Sequence, residues 1–114
     1  MVAALALMAA PVASETFFLS MPGLCDAPYE EIELADAIYL TKTGIDSHFF
    51  GCEWPEKAGQ AILRGAPSVT TKAQCANGTG SWQAELEIVS QEDGSLRVFQ
   101  STGGISPVVF YRCN

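Results

Sequence analysis

Positive charge is scarce in this chain: six Lys and Arg stand against thirteen Asp and Glu over 114 residues, a formal net charge of −7. No base precedes Lys42, whereas Glu15, Asp26, Glu30, Glu31, Glu33 and Asp36 all do. Nucleic acids and anionic membrane surfaces are held by clustered Lys and Arg, so both are excluded as partners. A charged partner of this chain would be basic.

Other shortages narrow the chemistry. No C-x-x-C pair occurs among the four cysteines, which argues against structural zinc, because such sites draw on closely spaced ligands. No Gly-rich phosphate loop or dinucleotide fingerprint occurs, and no Asp-x-Asp-x-Asp-Gly spacing marks a calcium loop around Glu30, Glu31 and Glu33. No cofactor and no metal is predicted. Histidine is limited to His48, in Asp46-Ser47-His48. Those residue types form a hydrolytic triad when they converge, but on a strand Asp46 and His48 share one face and Ser47 points to the other. A distant serine working with His48 is the only route to a hydrolase. Glu53, between Cys52 and Trp54, is read as a solvated loop carboxylate, and Glu85 and Glu87 as the polar face of a strand.

The first residues, 1–14, are apolar and end in small side chains. They are read as a secretory signal with Val12 and Ser14 at the −3 and −1 positions and a mature start at Glu15. A Lys or Arg before the apolar run is missing, and the run is shorter than the ~20 residues a bilayer span needs. Residues 15–114 are then one domain, periplasmic or secreted. A domain of this size buries only about 60 to 70% of its unfolded surface, so its core alone is marginal. An even number of cysteines, Cys25, Cys52, Cys75 and Cys113, in a short exported chain reads as two disulfides.

What is abundant is β pattern. Trp82, Ala84, Leu86 and Ile88 alternate with Gln83, Glu85 and Glu87, the period of two of a half-buried strand. Turns at Glu92-Asp93-Gly94 and Gly103-Gly104 divide residues 82–113 into a three-stranded meander. Upstream, Thr16–Ser20 reads as an edge strand or a tucked N-terminal arm, and Ala37–Thr41 with Ile45–Cys52 as a hairpin. Ser68–Lys72 reads as a strand leading to Cys75. Asp26–Asp36 is read as extended, although Pro28 and the acids after it also suit a helix start. The one predicted helix is Pro55–Gly65, with Gly59 costing about 1 kcal/mol against Ala. Asn77-Gly78-Thr79 matches a glycosylation acceptor and equally a turn, and the turn is preferred. The fold class is therefore all-β with room for one short helix: a small antiparallel barrel or sandwich stapled by two disulfides.

The meander also bears on the disulfides. Cys75 precedes its first strand and Cys113 ends its third, so the two lie at opposite ends of a sheet, whereas bridged Cα atoms lie within about 7 Å. The preferred pairs are Cys52–Cys75 and Cys25–Cys113, with Cys25–Cys52 and Cys75–Cys113 as the alternative if the sheet curls.

The reading favoured on these grounds is a non-catalytic exported module that binds a protein. It would be an inhibitor of a basic cell-wall enzyme or an accessory subunit of an envelope complex. Its candidate binding residues are Glu30, Glu31, Glu33, Tyr29, Phe49, Phe50 and Trp54, with Tyr111 as a further aromatic. A second reading is a carrier whose barrel interior holds a small apolar ligand, which requires a cavity above roughly 300 Å³. The hydrolase built on His48 is the third.

Overall fold

The computed structural model of the protein describes residues 16–100 and 107–113. Eight strands run in chain order around a closed antiparallel barrel: β1 Phe17–Leu19, β2 Tyr39–Thr41, β3 Gly44–Asp46, β4 Phe50–Glu53, β5 Ser68–Asn77, β6 Gly80–Ser90, β7 Leu96–Gln100 and β8 Val108–Cys113. Each strand pairs with the next, and β1 returns to β8 with Phe17 opposite Cys113 and Leu19 opposite Tyr111. Two short helices decorate the barrel, α1 Tyr29–Leu34 and α2 Glu56–Leu63. A 3₁₀ turn covers Pro22–Leu24.

From Gln83 on the alternation in β6 sorts as the pattern requires: Ala84, Leu86 and Ile88 are buried and Gln83 and Glu85 exposed, whereas Trp82, read onto the buried face, is exposed. Ala84, Leu86 and Ile88 join Phe18, Leu40, Ile45, Val98 and Phe110 in one core inside the barrel. β1 is buried on both faces. Phe18 points into that core, and Leu19 packs outside with Ile32, Ala37 and Cys113 in a second, smaller cluster. Ile32 belongs to α1, so this cluster is what seats the helix on the barrel wall.

Residues 26–36 are not extended as the sequence pattern suggested; they form α1. Pro28, with φ −62° and ψ 153°, accepts the first amides of the helix from Glu31 and Ile32. Glu30 and Glu31 sit in the first turn, where carboxylates favour the positive end of the helix dipole. The helix ends in a Schellman arrangement: Asp36 is at φ 58°, its N–H donates to Glu33, and the Ala37 N–H donates to Ile32. Glycine usually holds that left-handed position. With aspartate there, the stop signal is absent from the sequence, and Ile32 and Leu34 mimic strand alternation.

The predicted strand Ile45–Cys52 is broken as well. The Ser47 hydroxyl accepts hydrogen bonds from the amides of Phe49 and Phe50, at 3.2 and 3.1 Å, and the Ser47 N–H donates to the Phe50 carbonyl. Serine closes a turn in this way by satisfying amides locally. Residues 47–49 become a turn between β3 and β4, and His48 and Phe49 stand at its tip.

α2 forms where predicted, with Pro55 at the N-cap position rather than inside the helix. Gly65, at φ 83°, closes it: the Gly65 N–H donates to Ile62 and the Ala66 N–H to Ala61. Ile62 of α2 and Trp54 just before it enter the main core. α2 joins the end of β4 to the start of β5 and so caps one end of the barrel. Gly59 is there for close approach, since a Cβ at that position would run into the Lys42 carbonyl. In the β6–β7 turn the Asp93 carboxylate accepts from the Ser95 N–H and hydroxyl, at 2.9 and 2.6 Å. The hydroxyl bond, followed by the amide bond, holds the Asp93 carboxyl below the usual carboxylate range. The predicted Gly103-Gly104 turn lies outside the described residues.

Both preferred disulfides are present. Cys52 and Cys75 stand directly opposite on β4 and β5, with Cα atoms 4.0 Å apart. Cys25 and Cys113 join the chain after β1 to the end of β8, with Cα atoms 5.4 Å apart. The meander argument holds even in a closed barrel: β8 ends at the α2 end, and Cys75 lies towards the other. Two disulfides in a domain of this size are consistent with an extracellular or periplasmic location.

Two outcomes follow for stability. Cys25–Cys113 spans 88 residues and Cys52–Cys75 spans 23, so on chain-entropy grounds the longer link constrains the unfolded chain more. Denaturant titration should show each Cys→Ala pair losing about 2 to 5 kcal/mol, with the Cys25/Cys113 pair losing more; the reverse order would contradict that ranking. An exposed helical Gly→Ala change stabilises by about 1 kcal/mol. Gly59→Ala should instead lower stability by about 1 to 3 kcal/mol, because the helix must lift off the Lys42 carbonyl.

Candidate functional site

Of the predicted binding residues, the fold brings some together and removes others. On the helical turn of α1, Glu30, Glu33 and Leu34 share one side, spaced as i, i+3 and i+4. With Asp36, His48 and Phe49 they line a groove of about 460 Å³. Glu31 is exposed but does not line it; the helix separates it from Glu33, with which a strand would have aligned it. Leu34, 86% exposed, and Phe49, 65% exposed, present their apolar side chains to solvent beside these carboxylates. Leu34 carried no signal in the sequence, since an apolar residue in an amphipathic segment is ordinarily assigned to the core.

Trp54 is withdrawn from the binding surface. It is only 6% exposed, and its indole N–H donates to the Lys42 carbonyl at 3.0 Å. It ties the β2–β3 turn to the base of α2 and belongs to the core. Phe50 and Tyr111 are half-buried, while Glu53 is exposed.

Tyr29 lies on the outer face of the barrel, its ring stacked on Tyr39 with centroids 6.0 Å apart. Its hydroxyl donates to Glu33 Oε2 at 3.2 Å. The negative charge of Glu33, and then this bond, raise the Tyr29 phenol above its ordinary value. Burial, and then the Tyr29 and Glu33 groups, do the same for Tyr39.

His48 stands at the exposed tip of the β3–β4 turn. Its Nδ1 lies 3.8 Å from Glu33 Oε2, too far for a hydrogen bond. The neighbouring Ser47 hydroxyl is committed to the turn through Phe49 and Phe50. The contact between His48 and Glu33 is a surface ion pair when the imidazole is protonated, a type that contributes little. Among the described residues, no group of three or more His, Cys, Asp or Glu is gathered as metal ligands would be.

The second concave feature is inside the barrel. At the end opposite α2, β3, the start of β4, the end of β5, the start of β6, the end of β7 and the start of β8 surround a cup of about 320 Å³. Its floor is buried and apolar, with Ala84, Leu86, Val98 and Phe110, and the Cys52–Cys75 pair forms part of its wall. Phe49 and Trp82, the latter 38% exposed, stand at its rim with Asn77 and Gln100. Among the candidate residues only Phe49 and Phe50 touch it. The volume is close to the roughly 300 Å³ at the lower end of ligand pockets.

No family model matches the chain, and neither a curated protein nor a solved structure is significantly similar to it.

The Tyr29–Glu33 contact gives a pH signature. A phenol with a raised value in the folded state favours folding below its ordinary pKa near 10, and that contribution is lost as pH rises through the raised value. Following the tyrosine ring carbons by NMR, Glu33→Gln should bring the Tyr29 midpoint down towards 10. An unchanged midpoint would show that Glu33 is not the cause.

Proposed function

We propose that the protein is an exported, non-catalytic binding module of the cell envelope, released by cleavage after Ser14, that docks a basic partner protein. The observation that carries this reading is the face where exposed Leu34 and Phe49 lie among Glu30, Glu33 and Asp36. A leucine in water contributes nothing to the barrel, whereas in an interface it is a desolvated anchor. Carboxylates around such anchors steer a basic protein towards them and raise its association rate. The net charge of −7 adds a long-range attraction of the same sign. The partner is a basic cell-wall hydrolase held inactive, or a basic subunit of an envelope complex.

Affinity capture with the mature, oxidised protein from its own envelope fraction tests this. Wild type should retain a basic protein that the Leu34→Ala/Phe49→Ala variant does not retain. Raising ionic strength to about 1 M, where the screening length falls to ~3 Å, should release it. Retention of the same proteins by wild type and variant would sink the reading. If the retained protein is a muramidase whose activity falls on binding, the inhibitor role is assigned; a retained protein without hydrolase activity assigns the accessory role.

A further inference from the structure

The cup at the open end of the barrel is a site of a different kind from the acidic face, and its chemistry is more specific. Among the described residues no charged side chain lines it, so an ion placed there would lose hydration without compensation from them. Its volume has a cause in the sequence: Ala84 of β6, buried, lines it where a larger side chain would take up the space. An engineered apolar cavity of ~150 Å³ takes benzene. The cup, at about 320 Å³, has room for a two-ring molecule.

Its polar rim adds direction. The Asn77 Oδ1 accepts from the Thr79 N–H, the Thr79 hydroxyl and the Gly80 N–H, at 2.9, 2.8 and 3.1 Å. Three donors converging on one atom fix which end of the amide is oxygen. The Asn77 Nδ2 group, with two N–H donors, has no acceptor among the described residues and belongs to a side chain lining the cup. We propose that the cup binds one small, neutral, mainly apolar molecule carrying a hydrogen-bond acceptor, of the ketone or ester class. Its body rests on Leu86, Val98 and Phe110, and its acceptor meets Asn77. Among the described residues Phe49 is the only one this site shares with the acidic groove, so variants elsewhere separate the two.

Prodan, a neutral naphthyl ketone whose emission shifts to the blue on leaving water, is a suitable probe for the full oxidised chain. Binding should saturate at one per chain with a blue shift, and the Leu86 and Val98 methyl resonances should move as it does. Ala84→Leu and, as a second variant, Leu86→Phe fill the cup and should weaken binding at least about ten-fold, each with a cooperative melt. Asn77→Asp keeps the oxygen that closes the turn and removes the donor. It should cost about three- to ten-fold for prodan and leave naphthalene, measured by displacement, unaffected. Leu34→Ala should change nothing. The proposal is overturned if prodan does not saturate, if the methyl shifts fall outside the cup, or if a folded cup-filling variant binds as well as wild type. Equal losses for prodan and naphthalene in Asn77→Asp would overturn its acceptor half.

Discussion

Closure of the barrel between β1 and β8 is the constraint on which the rest depends. β1 has three residues, Phe17–Leu19, and alone could not hold a sheet edge. It is retained because each residue is engaged twice over. Phe18 enters the main core, Leu19 enters the cluster under α1, and the backbone completes the ladder to Tyr111–Cys113. Without it, β2 and β8 would each expose a row of unpaired amides and carbonyls, the usual template for aggregation. Cys25–Cys113 fastens the segment just past β1 to the strand it must pair with. A single covalent link thus guards the weakest seam of the sheet.

The other disulfide has a different position. Cys52–Cys75 lies within a continuous stretch of ladder between β4 and β5 and forms part of the cup wall. In that wall the two cysteines and Ala84 stand among larger side chains such as Phe50 and Trp82. Small residues at Ala73 and Ala84 would weaken an ordinary core through lost contacts. Here a cross-strand bond holds the wall beside them. The acidic groove, by contrast, owes its shape to a turn closed by Ser47 hydrogen bonds and to a six-residue helix seated through Ile32.

Strand order and disulfide pairing were legible in the chain because both are expressed in spacing. The alternation from Trp82 to Ile88 specified a strand, the turns specified a meander, and the meander placed Cys75 and Cys113 at opposite ends. Local chemistry was less visible. Asp36 in a left-handed conformation ends α1 without the glycine that would have announced it, so a helix passed for a strand and Glu31 was grouped with Glu33. Ser47 stops a strand by a hydroxyl bond whose pattern is no different, in sequence, from a serine on a strand face. Trp54 suited the core better than a surface on pattern alone, and the carbonyl that accepts its N–H gives the reason. The cup was hidden for a further reason: a lumen is defined by residues from six strands, and only closure of the sheet decides which faces look at one another.

The ends of the described barrel segment also have a bearing on geometry. Phe17 and Cys113 are opposite one another, at the end capped by α2, while Phe49, Asn77 and Trp82 surround the far opening. The chain therefore enters and leaves the barrel on the side away from the cup. A purification tag, a surface linker or a fused reporter joined at either point would hang from the closed base like a handle, leaving the mouth turned outward.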